Sequence, residues 1–418
     1  MVWQPVLTGA LRDAALDSAL ALIRSLDPPH ATDRRSACLG AGAAGLAVCH
    51  AVVAQECQDA QARQLATGCL DSAIEVLASQ PFSMSLYSGF TGIAWAADLV
   101  DRLLPGEIAD RNDEIDLALP QAVRHYPKDG PYDLIDGLTG LGIYALARWP
   151  RSSAVECLVG ILAELDGRAR RDADGVYWWT PAAALIGPRR QLYPAGGVDM
   201  GVAHGIAGVL PLLARACSLG VAEATVRPLL DGAIRWLMAH LVDSPAGPTT
   251  PSFLADGTEP GPARSAWCYG DPGVALALLL AARDLGEPSW QQTGTELALR
   301  AVRRPPEDTR VSDAGVCHGT AGLAHLFTRM YQLTGERELA DAAVTWAQRT
   351  LAMCAARGDG EDGLDGSGPA ARAWSGPGLL EGAAGIALVL LAGCVPTEPV
   401  WDQMLLVSTG AAAAVSAP

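Results

Sequence analysis

At 418 residues the chain can bury a large core, and at roughly 150 residues per domain it suggests two or three domains. Half of it is apolar and 18% is charged, which excludes disorder as the dominant state, and a net charge of −16 (30 Lys+Arg against 46 Asp+Glu) excludes a nucleic-acid partner, which needs a basic face. Glycine is the outlier, with 45 residues where average usage near 7% predicts about 29.

The first turns of the chain carry Arg12 and Asp13 before any long apolar run, and later runs such as 273–282 fall short of the ~20 residues that span a bilayer. No transmembrane segment or signal peptide is therefore expected, and the protein reads as cytoplasmic. Ten cysteines without a CxxC pair favour reduced thiols over a disulfide framework.

One pattern recurs from end to end: a glycine, two residues, a second glycine and an apolar Ala/Leu-rich stretch. In chain order it starts at Gly42 (GAAGLAV), Gly89 (GFTGIAW), Gly137 (GLTGLGI), Gly205 (GIAGVLPLL), Gly270 (GDPGVALALLL), Gly319 (GTAGLAHLF) and Gly382 (GAAGIALVLL). The steps are 47, 48, 68, 65, 49 and 63 residues, so a unit of about 48 residues carries insertions where the step is long. Each unit holds two helical patterns, as in 71–77 before the second motif and 93–104 after it, and almost nothing alternates with period two. The stretches after each GxxG are apolar nearly all round and predict buried helices, whereas the intervening helices carry charge on one face. Seven inner and seven outer helices predict an all-α fold, a closed (α/α)7 toroid occupying 1–418 as one domain. An open solenoid would need polar end repeats, and the first and last motifs are as apolar as the rest. The glycines fit tight turns where φ is positive or backbones approach closely, and Asp271-Pro272 has the pattern of an N-cap followed by proline at the first helical position.

The insertions fall at 166–198, 242–263 and 357–378. The first contains Val176-Tyr177-Trp178-Trp179-Thr180, the most strand-like run, and is a candidate for a lid or a small β-rich element.

In a ring of equivalent hairpins the residues just before each GxxG reach one mouth. Position −1 holds Ala41, Ser88, Asp136, His204, Tyr269, His318 and Glu381, and position −2 adds Tyr87, Cys268, Cys317 and Leu380. Cys268, Cys317 and His318 form a Cys2His set suited to Zn²⁺ with one position left open. The cysteines are 49 residues apart, one repeat rather than a zinc-finger spacing, so repeat register carries this reading against the alternative of ordinary buried thiols. His204 enters the same mouth, a natural general acid or base near neutral pH. Asp133 and Asp136 come from the preceding repeat, and capping is the competing role for both, more so for Asp136. Arg264, four residues before Cys268, fits either a carboxylate- or enolate-binding role or a surface ion pair. Glu381 fits packing or capping; His30, His50, His125 and His240 fall outside the register, and His325 lies two turns deeper than His318.

The motifs YDLIDGLTG, GVAHGIAG, RSAWCYGDPG, VCHGTAG and LLEGAAGIA, in order over essentially the whole chain, resemble those of the lanthionine synthetase C-like family, the lanthipeptide cyclases. With no dehydratase or kinase region ahead of it, the chain resembles the stand-alone class I type. The resemblance implies an α/α toroid with a small β-rich insertion, Zn²⁺ held by Cys268, Cys317 and His318, acid/base residues His204 and Asp133, and Arg264 and Tyr269 as active-site neighbours. The implied reaction is addition of a cysteine thiol to dehydroalanine or dehydrobutyrine in a dehydrated precursor peptide, leader plus core, closing a thioether ring. A zinc-favoured thiolate attacks and His204 returns a proton to the enolate. The dehydratase, the transporter and a membrane-associated complex at which the enzyme is peripheral are the implied partners. A relative that adds glutathione and a non-catalytic zinc scaffold are the alternatives; zinc prenyltransferases share the toroid but use an Asp-Cys-His set.

Overall fold

The computed structural model describes residues 3–26, 30–106, 110–358, 374 and 376–408. Its helices, in chain order, are α1 (Gly9–Arg24), α2 (Arg34–Ala37), α3 (Ala43–Cys57), α4 (Ala60–Ser79), α5 (Phe90–Leu103), α6 (Asp113–Arg124), α7 (Leu138–Ala147) and α8 (Ser152–Arg168). They continue as α9 (Pro188–Leu192), α10 (Ile206–Ser218), α11 (Glu223–Ala239), α12 (Asp271–Leu285), α13 (Pro288–Arg303), α14 (Thr320–Thr334), α15 (Arg337–Gly358) and α16 (Ala383–Cys394). The seven that follow the GxxG motifs, α3, α5, α7, α10, α12, α14 and α16, each pack on the next, and α16 packs back on α3. The ring is closed, as the apolar end motifs require.

Inner and outer helices differ as their sequences do. Every residue of α16 is buried, whereas α13 buries Gly294, Leu297, Ala298 and Ala301, the one-sided stripe of an amphipathic helix. Truncating a fully buried leucine such as Leu388 to alanine would cost about 2–5 kcal/mol. The outer mate of α16 is α1, from the other end of the chain. Trp3 Nε1 donates to the Ala392 carbonyl at 3.0 Å and the Leu7 amide to the Gly393 carbonyl at 3.0 Å, so the seventh hairpin is assembled from both ends of the sequence.

The GxxG glycines answer mainly to close approach. In each motif a Cβ on the second glycine would strike the carbonyl oxygen six residues earlier, at 2.1 Å for Gly208 on Val202 and 2.0 Å for Gly322 on Val316. The helix thus begins with its first turn pressed onto the loop that feeds it. The first glycine is the N-cap residue, and only Gly270, at φ +93°, has a positive φ among the seven. Asp271 is consequently not the cap expected from Asp-Pro. Its carboxylate turns outward to accept from Thr249 Oγ1 (2.6 Å) and the Thr250 amide (2.7 Å).

The first two insertions meet. Strands β1 (Arg170–Arg171) and β2 (Val176–Tyr177) pair within 166–198, while β3 (Val198–Asp199) pairs antiparallel with β4 (Phe253–Leu254) of the second insertion. The β element is thus two small two-stranded sheets. Of the third insertion, residues 359–373 and 375 lie outside the described residues.

The segment 401–407 fills the bore. Tyr87, from the second repeat, donates to the Met404 carbonyl (2.7 Å), and Trp267, from the fifth, donates to the Leu405 carbonyl (2.8 Å). On α14, Arg329 Nε and His325 Nε2 both lie 2.7 Å from Oδ2 of the fully buried Asp402. His325, two turns deeper than His318, therefore anchors this segment. Among the described residues, no helix is long and apolar enough to cross a membrane.

Candidate active site

Except between the second and third repeats, the loops preceding the GxxG turns are stitched to one another around the mouth. Gly40 donates to the Tyr87 carbonyl, Leu134 to Ala203, Val202 to Cys268, Cys268 to Cys317, Cys317 to Leu380, and Leu380 back to Gly40, at 2.8–3.4 Å. This backbone collar fixes the −2 positions of successive repeats side by side and brings together residues separated by a full repeat in sequence.

It places Cys268, Cys317 and His318 with one potential ligand atom each, all within 4.8 Å of one another. Cys268 is buried, and the other two are partly exposed toward the mouth. A hydrogen bond from the Cys317 thiol holds the Cys268 thiol down at about 6 despite burial, with His318 and the Arg264 charge adding to the effect. Cys317 is pushed up by the same shared proton, by burial and by the nearby Cys268, Glu381 and Asp313 charges. One thiolate is thus readily formed here, as metal ligation demands. By contrast, Cys49 and Cys157 in the core are pushed up to about 12 by burial. Two sulfurs and an imidazole in one cluster form a donor set that suits Zn²⁺.

The neighbouring loops bring His204 and Asp133 together. His204 Nδ1 lies 2.7 Å from Asp133 Oδ2, and Asp133 Oδ1 accepts the Asp136 amide at 2.8 Å. Burial opposes charge on His204, yet the hydrogen bond and charge of Asp133, with Asp199 and Asp136 beyond, raise its pKa above the ordinary imidazole value. Asp136 does not cap α7, whose N-cap is Gly137; burial and then the Asp133 charge raise its carboxyl. Arg264 is exposed and, among the described residues, forms no ion pair, so its charge acts on Cys268 and His318 from the rim.

Tyr269 is more constrained than its place in the register suggests. Its hydroxyl donates to Asp199 Oδ2 at 2.8 Å and accepts from Arg189 Nη1 at 2.5 Å, and burial and Asp199 push its pKa well up. Neither partner stands at the −1 or −2 position of a repeat, and nor does Asp313, whose Oδ2 lies 3.3 Å from His318 Nε2, where a metal-binding imidazole would take an orienting carboxylate. Two of the three carry a signal. Asp199, Arg264 and Asp313 all stand six residues before the first glycine of their motifs, so extending the register from −2 to −6 finds them. Arg189 lies in an insertion that has no register.

The lanthionine synthetase C-like protein family matches residues 35–406. The nisin biosynthesis protein NisC of Lactococcus lactis subsp. lactis is 23% identical over 325 residues, 73% of each chain. The structure of a nisin cyclase superposes with a TM-score of 0.76 at 20% identity, covering 94% of this chain and 97% of the other, and shares its α/α toroid.

Proposed function

Because the chain belongs to the lanthionine synthetase C-like family, we propose that it is a zinc-dependent lanthipeptide cyclase acting on a dehydrated precursor peptide, leader plus core. The observation that carries this reading is the juxtaposition, within one collar, of a Cys2His cluster and a carboxylate-held histidine. Cys268, Cys317 and His318 would hold Zn²⁺, which when bound favours the thiolate of a substrate cysteine at neutral pH. Asp313 would orient His318. Addition of the thiol sulfur to the β-carbon of a dehydroamino acid shifts the double-bond pair toward the carbonyl, and the α-carbon then needs one proton. Asp133 engages Nδ1 of His204 and leaves Nε2 as the nitrogen that delivers it; the raised pKa favours the protonated ring relative to an ordinary imidazole. Arg264, at the rim, offers a cation to the developing enolate or to a peptide carboxylate.

This reading takes 1–418 as one cyclase domain, with 166–198, 242–263 and 357–378 as insertions. A cytoplasmic site of action, with a dehydratase and a transporter as partners, belongs to it. The test is to incubate the zinc-loaded protein with a dehydrated precursor and alkylate the remaining thiols. Cyclisation leaves the peptide mass unchanged while thiols disappear. Persistence of all thiols while zinc is bound would overturn the proposal.

A further inference from the structure

Arg189 stands on α9, a five-residue helix of the first insertion, yet its guanidinium ends in the mouth. Nη1 lies 3.0 Å from Asp199 Oδ2 and 2.5 Å from the Tyr269 hydroxyl, which donates to the same carboxylate oxygen. The guanidinium carbon sits 4.4 Å from the Tyr269 ring centre and 5.7 Å from that of Phe253, against which Tyr193 stacks at 4.4 Å. Phe253 is on β4 and Asp199 on β3, so the two insertions and the Tyr269 loop converge on one cation.

Asp199 is the hub. It is 1% exposed, and among the described residues Arg189 is its one ion-pair partner. A buried carboxylate without a countercharge is strongly unfavourable, so removing Arg189 forces Asp199 to move, hydrate or protonate. Its other oxygen accepts the Gly201 amide at 2.9 Å and lies where a Cβ on Gly205 would approach to 2.6 Å, tight under the turn that carries His204. One carboxylate therefore joins the His204 loop to Tyr269, the residue after Cys268, and Arg189 neutralises it.

We propose that Arg189 is a positioning residue: by pairing with Asp199 and holding Tyr269, it sets the placement of the His204 loop relative to the Cys268 loop. The inference rests on the cyclase reading for its kinetic consequence and on geometry alone for its structural one. The kinetic test is a double-mutant cycle of Arg189→Gln and Asp199→Asn in the zinc-loaded protein with a dehydrated precursor. Arg189→Gln is expected to lower kcat about 10- to 100-fold, the scale of small misplacements, with KM and zinc content nearly unchanged and with Arg189→Lys recovering most of the loss. In the Asp199→Asn background, where no buried charge needs neutralising, the same change should cost no more than about threefold. Equal losses in both backgrounds, or a change confined to KM, would show that Arg189 only supports the insertion and would overturn the proposal. Hydrogen exchange supplies the second readout, independent of cyclisation. Arg189→Gln should speed exchange at 199–205 and 266–270 about tenfold or more; unchanged exchange there defeats the inference even if the wild-type protein cyclises nothing. Loss of all wild-type cyclisation with accelerated exchange would instead defeat the cyclase reading and leave the positioning role intact.

Discussion

Among the described residues three clusters bring three potential metal ligands within 4.8 Å; one is the Asp133, Asp136 and His204 group, and the other two have opposite characters. Asp110, Asp113 and Asp116, at the outer end of the second and third hairpins, are already supplied with positive charge. Arg148 bonds Asp98 Oδ1 (2.7 Å), Asp110 Oδ2 (2.5 Å) and Asp116 Oδ2 (2.8 Å), Arg151 adds contacts to all three aspartates of the cluster, and Tyr144 donates to Asp116 Oδ1 at 2.6 Å. Among the described residues, no arginine forms an ion pair with Cys268, Cys317 or His318. Their partners are each other, with Asp313 behind the histidine and Arg264 at the rim. Proximity of ligands is common to both clusters; the soft donors, and among the described residues the lack of a directly paired arginine, distinguish the one that suits a metal.

The largest expected effect is at the thiol cluster. Cys317→Ala should take zinc from about one equivalent per chain to near zero by elemental analysis and abolish cyclisation, because three protein ligands leave none to spare; full metal and activity in that variant would sink the ligand assignment. Next, His204→Asn should retain zinc and fold but slow cyclisation about 10²- to 10⁴-fold, the usual range for a lost general acid, measured by the rate of thiol disappearance. In the aspartate cluster the loss should appear in stability and not in metal. Asp116→Asn breaks a buried charged network and should cost about 3–5 kcal/mol in denaturant unfolding with zinc content unchanged. A smaller effect concerns pH. The folded-state pKa of His204 lies above its unfolded value near 6.5, so its pairing with Asp133 stabilises fully below 6.5 and is lost as pH rises through the folded value. The stability gap between wild type and His204→Asn should therefore shrink from mildly acid to alkaline conditions. Smallest of all, Glu381→Gln, at an exposed mouth position, should leave zinc content unchanged and stability within about 0.5 kcal/mol.

The ring was legible because its signal is redundant. Seven glycine pairs, each required by a carbonyl six residues upstream, report the same helix start seven times. The thiol cluster was legible for a related reason: the collar that joins Cys268 to Cys317 follows the repeat, so position in the motif translates directly into position in space. What stayed hidden is what departs from the repeat. Arg189 arrives from an insertion, and nothing in its neighbourhood along the chain indicates Asp199 or Tyr269. Asp271 departs from the expected cap for a similar reason, since Asp-Pro at a helix start signals a cap in general, whereas here the carboxylate bonds to Thr249 and Thr250 of the second insertion.

The pairing of α1 with α16 has a consequence for the order in which the molecule can be made. During synthesis α1 emerges first with its apolar face uncovered, and its partner follows more than 350 residues later. Until then the collar lacks its link from Leu380 to Gly40, and Arg329 and His325 lack Asp402. The toroid is thus an arch whose keystone is α16, and a chain that ends before residue 380 carries the Cys268, Cys317 and His204 loops but no closed ring.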